Sequence, residues 1–466
     1  TFILSFFVNF VFPLGSFPVP VVVIFMIISY LSILLFYSKS FKQYIVLIIQ
    51  NKNNYVLPLL IFTLFISLSI PFYFLAGNFS IIKFLIQFVG IFIFQSVLIF
   101  LLFGFISYKI FSEKYLYKLT IISLFIVLLI GILDFISAYL QINSILNIVN
   151  FLSNHRFFAL AEYGDRVYIG SIPRIQGIFI EPAVFGIFLV TFLPFAYALF
   201  NSKFKLSKNK CLNICIKKSL LPCLWFNLIF IQSPIFLIIG LIITIFYFKE
   251  SIIFAIKNYL GYIIMSILIL IPTIMLVCNK IDISETFLNR IALVISVLKD
   301  FDKFIFVEPS LATRVVNYIN SLCVWQKHPL FGVGIGNLVT YQAAQMYHSP
   351  VPLTQEIIVH LQLKKFVFNS GVFYKLMSET GIIGTFVYFY FLTKLYNFMK
   401  NLFEKSKFHN ISVFYKCLWG IVWVYIILCF YNMYLYYAYF YVFFGIIAGL
   451  QLKIYTKNRN ITKKRV

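Results

Sequence analysis

Charge is scarce in this chain: 11% of its 466 residues are Asp, Glu, Lys or Arg, where a soluble globular protein carries roughly a quarter. Acid is the scarcer sign, with 14 Asp and Glu against 38 Lys and Arg, a formal net charge of +24. Cysteine is also sparse, 7 in all. Only Cys323 falls clearly in a long polar interval, so a disulfide framework is excluded. Cys211 and Cys215 have helical spacing but no neighbouring His or further Cys, which argues against zinc. No HExxH or similar metal spacing is present. The glycine-rich GVGIGN at 332–337 lacks both GxGxxG spacing and a preceding strand, so it reads as a flexible or closely packed turn, not a nucleotide loop. Neither a repeat of 20–50 residues nor the inverted-repeat hydropathy of many secondary transporters is evident. The first residues, from Thr1, lack the basic region of a cleaved signal peptide and read as a span.

What is abundant is apolar sequence. Hydrophobic residues make up 62% of the chain and aromatics 20%, with a mean hydropathy of +0.97. Apolar runs near twenty residues recur from end to end, the length that crosses a bilayer as a helix. The expected fold is all-α: a polytopic integral membrane protein of about twelve transmembrane helices, with a large extracytoplasmic loop containing short helices. The expected spans lie at about 2–15, 18–37, 55–75, 82–106, 119–140, 174–200, 219–232, 235–248, 259–278, 376–398, 412–430 and 432–451. Prolines 13, 18 and 234 interrupt the first pair and the 219–248 pair, each of which reads as a hairpin or as one long span. Three regions result: N-terminal helices over 1–278, an outer loop over 279–375, and C-terminal helices with a basic tail over 376–466.

Alternating sides from a cytoplasmic N-terminus puts segments 38–54, 107–118, 201–218, 249–258, 399–411 and the tail after 451 inside, and each is basic. The short outer turns at 16–17, 76–81, 233–234 and around 431 carry no Lys or Arg. This is the positive-inside pattern. It accounts for most of the +24 and removes the case for nucleic acid as a partner. Both termini are then cytoplasmic, and the partner surface is the lipid bilayer itself.

Two outer loops, 141–173 and 279–375, break the pattern of short turns, and long loops of this kind are usually functional. The first holds His155, Arg156, Glu162, Asp165 and Arg166, and runs into PRIQGIFIEPAVFG at 173–186. Arg174 and Glu181 are seven residues apart, which predicts a shared helix face and an axial separation of about 10 Å. The pair reads as the lining of a polar pocket or as a structural pairing at a kink. Asp134, near the outer end of the preceding span, reads as structural. In the long loop, Pro309 and Ser310 predict a helix start. Val315, Tyr318, Ile319, Leu322 and Trp325 recur at helical spacing, with Arg314, Asn317 and Ser321 on a second face. Arg290 and Arg314 stand out among the outer basic residues as anion-binding candidates, since guanidinium grips phosphate bidentately. His328, His348 and His360 are natural acid–base groups there. Asp300-Phe301-Asp302 matches the DxD pattern of metal-dependent glycosyltransferases, but on the face where nucleotide sugars are absent.

RIQGIFIEPAVFG at 174–186, the Arg314–Trp325 helix with HPLFGVGIGN at 328–337, and FNSGVFYKLMSETGIIG at 368–384 resemble motifs of the bacterial O-antigen polymerase and O-antigen ligase superfamily. Order, spacing and topology agree, and the specific matches cover about fifty residues. The resemblance implies transfer of a glycan from an undecaprenyl diphosphate carrier at the outer face of the bacterial inner membrane, without metal or cofactor. It places Arg174 and Arg314 on the diphosphate, and leaves Glu181 or His348 to take the acceptor's proton. A chain-length regulator is a candidate partner. Ligases usually carry His before the Asn of the last motif; here it is Phe368-Asn369. With Glu181-Pro182 in the first motif, this favours the polymerase branch. Ser233-Pro234 stands where many relatives have Ser-Arg, so no third basic contact is expected there. The competing readings are an O-antigen ligase, a lipid-linked oligosaccharide flippase, and a mannosyltransferase-like enzyme that would need acids in the first outer turn, where there are none.

Overall fold

The computed structural model describes residues 11–14, 17–50, 97–153, 168–169, 172–175, 177, 182–200, 209–233, 236–245, 247–248, 309–335, 337–362, 371–405, 412–431 and 438–465. Among them helix dominates. The exceptions to an all-helical description are two small antiparallel ladders, Val11–Leu14 (β1) with Phe17–Pro20 (β2) and Tyr168–Ile169 (β3) with Ile172–Pro173 (β4). Helical spans are expected on both sides of Pro13 and Pro18; instead Val11–Leu14 and Phe17–Pro20 pair as strands and helix begins at Val21. The chain folds into two compact units, one of residues 1–123 with 309–466 and the other of residues 124–308.

The first unit contains α1 (Val21–Gln50), α2 (Ile99–Phe105, continued by a π turn over Ile106–Ile110) and the start of α3 (Glu113–Tyr139). It also holds α8 (Pro309–Lys327), α9 (Leu338–Met346), α10 (Gln355–Gln362), α11 (Val372–Lys405), α12 (Ser412–Cys429) and α13 (Ala438–Arg465). The second unit contains the rest of α3, then α4 (Asn143–Ser153), α5 (Pro182–Phe200), α6 (Lys210–Phe230) and α7 (Phe236–Ile245).

Three described helices are long and apolar enough to cross a membrane: Ile28–Ile48 within α1, α3 and α5. At 1.5 Å per residue the 27 residues of α3 reach about 40 Å, more than the roughly 30 Å hydrocarbon core. Shorter apolar helices are Ile99–Ile110, α7 and Val413–Cys429. The sequence expectation ended the first long helix at 37. The helix instead bends at Tyr37 (φ −132°, ψ 21°) and continues to Gln50, carrying Lys39 and Lys42 with it.

Close backbone approach holds α2 against α13. A Cβ on Gly449 would lie 1.9 Å from Ser107 Oγ and 2.1 Å from the Gly104 carbonyl. The Ser107 hydroxyl donates to the Ile446 carbonyl across that contact, 3.1 Å. Small residues allow this approach where the hydrophobic effect does not drive helices together. In the core, the hydroxyl of Tyr388 (α11) bonds that of Tyr425 (α12) and lies 3.3 Å from that of Tyr441 (α13). In the second unit, Asn227 of α6 donates to the Leu128 carbonyl of α3 (3.2 Å), and Gly186 of α5 admits the ring of Phe236.

Candidate functional site

The long loop's central helix, α8, packs with its polar side inward. Asn317, Asn320 and Ser321 are fully buried, together with Ala312, Val316 and Val324. Val315, Tyr318, Ile319, Leu322 and Trp325, which the periodicity marks as the apolar face, are only half-buried. The reason is hydrogen bonding. Gln342 of α9 donates to the Asn317 carbonyl (2.8 Å), Ser378 of α11 to the Ser321 carbonyl (2.7 Å), and Asn320 to the Ser349 hydroxyl (3.0 Å). Distant parts of the chain thus meet two α8 carbonyls and the Asn320 amide, while the side-chain oxygens of Asn317, Asn320 and Gln342 are buried without a hydrogen bond among the described residues.

This register fixes Arg314 near the N-terminal end of α8. Its guanidinium lies over the Tyr431 ring, 5.3 Å from the centroid. One turn on, Tyr318 stacks on Tyr374 of α11, with centroids 4.4 Å apart and rings within 10° of parallel. Burial pushes the Tyr318 hydroxyl well above its ordinary range; Tyr431 and Tyr374 add to this, and Arg314 opposes it. Tyr318 is therefore a neutral neighbour of Arg314. Gly371, in the turn entering α11, brings its backbone against Tyr431, where a Cβ would lie 2.8 Å from the Tyr431 carbonyl oxygen. Among the described residues, no carboxylate forms an ion pair with Arg314.

The other end of α8 is locked to a break in α11. Gly381 adopts φ +66°, ψ −170°, so the helix bonds from Ile382 and Ile383 to Ser378 and Glu379 are lost. The segment after α8 replaces them. Val333 and Gly334 donate to the Ser378 and Glu379 carbonyls (2.8 Å each), while Ile382 and Ile383 donate to the Pro329 and Leu330 carbonyls (2.9 and 3.5 Å). Gly332 has φ +69°, and a Cβ there would meet the Glu379 backbone at 2.4 Å. The glycine run at 332–337 is therefore a closely packed turn. The Glu379 side chain is buried beside the break, 4.0 Å from the Lys375 ammonium one turn earlier.

Arg174 belongs to the second unit. It is not helical: it follows β4, Gly177 has φ +57°, and α5 begins only at Pro182. Arg174 is therefore not on α5, whose first residue, Pro182, suits the first helical position. Glu181, the other half of the expected two-turn face, lies outside the described residues. Arg174 Nε donates to the Ile231 carbonyl at 2.9 Å, beside the Ile175 amide on the Phe230 carbonyl at 3.1 Å. A cation here sits at the carbonyl end of α6, where the helix dipole favours it. Asp134 is fully buried in α3 and accepts the Gly177 amide proton at 3.0 Å, which ties this turn to the helix.

Glu181, Arg290, His155 and the Asp300–Asp302 motif lie outside the described residues. His348 is exposed in the turn after α9; its backbone is held by Gln345, and its neighbour Ser349 by Asn320. No hydrogen bond or ring contact joins its imidazole to Arg314. His328 is exposed, with its ring edge-on to Tyr341. The structure thus assembles Arg314, Tyr318, Tyr374 and Tyr431 in one place, with Lys375 and Glu379 on the same helix as Tyr374. Sequence reasoning missed the last two. The signal was an acid inside an apolar span, the same signal that singled out Glu181. No protein-family model matches the chain, and no curated protein matches it in sequence.

Proposed function

We propose that the protein is a polysaccharide polymerase of the bacterial inner membrane. It moves a growing glycan from undecaprenyl diphosphate to a hydroxyl of a new lipid-linked repeat unit at the outer face. The reading takes about twelve spans, with both termini cytoplasmic, from the basic inner segments. In the transfer, the bond from the anomeric carbon to the diphosphate oxygen breaks and one to the acceptor oxygen forms. The acceptor's proton passes to a base, with Glu181 and His348 the candidates. Arg174, Arg314 and Arg290 are the candidate diphosphate contacts, offsetting the leaving group's charge without a metal.

One observation carries the reading. Arg314 is half-buried, oriented by Tyr431, and has no carboxylate partner among the described residues. A half-buried guanidinium with no carboxylate beside it among the described residues is suited to bind an incoming anion. The half-buried apolar side of α8 suits a site beside lipid, where the carrier's chain must remain.

A transporter of lipid-linked oligosaccharide is the second reading, favoured by the broken α11 and the buried Asp134 and Glu379. Against it, the break in α11 is closed by backbone bonds from residues 329–334. The test is the glycan ladder of a strain lacking the protein. Single repeat units on their acceptor, without long chains, support polymerase. Loss of all attachment points to a ligase, and carrier-linked units held inside point to a transporter.

A further inference from the structure

Lys375 lies on the first turn of α11, one turn beyond Gly371, to whose carbonyl its amide donates at 2.9 Å. Gly371 packs on the Tyr431 carbonyl, and Tyr431 carries the Arg314 guanidinium. The residue before Lys375 is Tyr374, stacked on Tyr318 one turn from Arg314. The contacts Tyr318–Tyr374 and Ser321–Ser378 show that α8 and α11 run in the same direction here. Arg314 is therefore level with the Gly371 turn, and Lys375 is about 6 Å farther along.

The Lys375–Glu379 pair is unequal. The carboxylate side chain is 1% exposed and the ammonium side chain 20%. At 4.0 Å the carboxylate acts on the ammonium as a charge, not through a short hydrogen bond. A buried acid thus lies beside a partly exposed lysine. A diphosphate ester carries more than one negative charge, and among the described residues of the first unit Arg314 is the one arginine so far placed on it.

We infer that Lys375 is a second anion-binding cation beside Arg314, anchored by Glu379, and that the two together select a prenyl diphosphate over a prenyl monophosphate. This rests on the functional reading above and adds a headgroup contact that the motif resemblance does not include.

The alternative role for Lys375 is to neutralise Glu379, and a double variant separates the two. The full-length protein in detergent is titrated with farnesyl diphosphate and farnesyl monophosphate, and its melting temperature is recorded. Lys375→Gln takes a cation from beside a buried carboxylate and lowers stability, whereas Lys375→Gln/Glu379→Gln removes both charges and recovers part of the loss. If Lys375 contacts the headgroup, the double variant still binds diphosphate about tenfold more weakly than wild type and loses the preference over monophosphate. A double variant with wild-type affinity and preference overturns the Lys375 assignment and leaves the functional reading standing. A wild-type protein that binds neither prenyl phosphate overturns both.

Discussion

The Gly381 α-carbon abuts the Leu330 carbonyl so closely that a Cβ would lie 2.1 Å from the oxygen. This joins the loop after α8 to the break in α11, and so fixes the helix that carries Arg314. Gly381→Ala meets both that clash and a φ of +66°. It is expected to cost more than about 2 kcal/mol. The melting temperature in detergent should fall, and under the proposed function polymer formation with it. A variant as stable as wild type contradicts the plugged-break geometry.

Gly449 tests the α2–α13 seam in the same manner. Gly449→Ala should destabilise by about 1–3 kcal/mol through overpacking. Removing the Ser107 hydroxyl as well, in Ser107→Ala/Gly449→Ala, should not restore stability, because the Gly104 carbonyl lies 2.1 Å from the same position. Full restoration would place the obstacle at the Ser107 hydroxyl alone.

Asp134 holds the Gly177 turn by accepting its amide proton. Asp134→Asn keeps an oxygen acceptor, while Asp134→Leu leaves the amide proton without one. The Leu variant should lose about 1–3 kcal/mol and the Asn variant clearly less, as read by thermal unfolding. Equal losses would show that the carboxylate charge matters more than the bond to Gly177.

Helix was legible from hydropathy, the count of twelve spans only in part. The expected spans 119–140, 376–398 and 412–430 fall on α3, α11 and α12, of which α3 alone is among the three described helices long and apolar enough to cross a membrane. The expected span 2–15 meets strand β1, and 55–75 and 259–278 lie outside the described residues. The expected span started at Arg174, but α5 runs Pro182–Phe200, and the signal was Pro182, which suits the first helical position. The inward polar face of α8 was not legible, because its partners Gln342, Ser349 and Ser378 lie 25, 29 and 57 residues away from the residues they bond. Nor was the break in α11. A glycine within an apolar run is compatible with an intact helix, and only the docking of residues 329–334 gives the lost bonds replacements. For the site, Arg314 was legible as an unexplained outer charge; Lys375 and Glu379 were masked by their place at the edge of a span.

The central claim is that Arg314 grips the carrier's diphosphate through its planar fork. The most direct measurement is polymer length formed from undecaprenyl-diphosphate-linked repeat units by purified, reconstituted wild type, Arg314→Lys and Arg314→Ala proteins of equal thermal stability. Wild type should make long chains, Arg314→Lys at least tenfold less by rate, about 1.4 kcal/mol of lost transition-state stabilisation, and Arg314→Ala none beyond the starting unit. Full-length polymer from the Arg314→Ala protein would contradict the account.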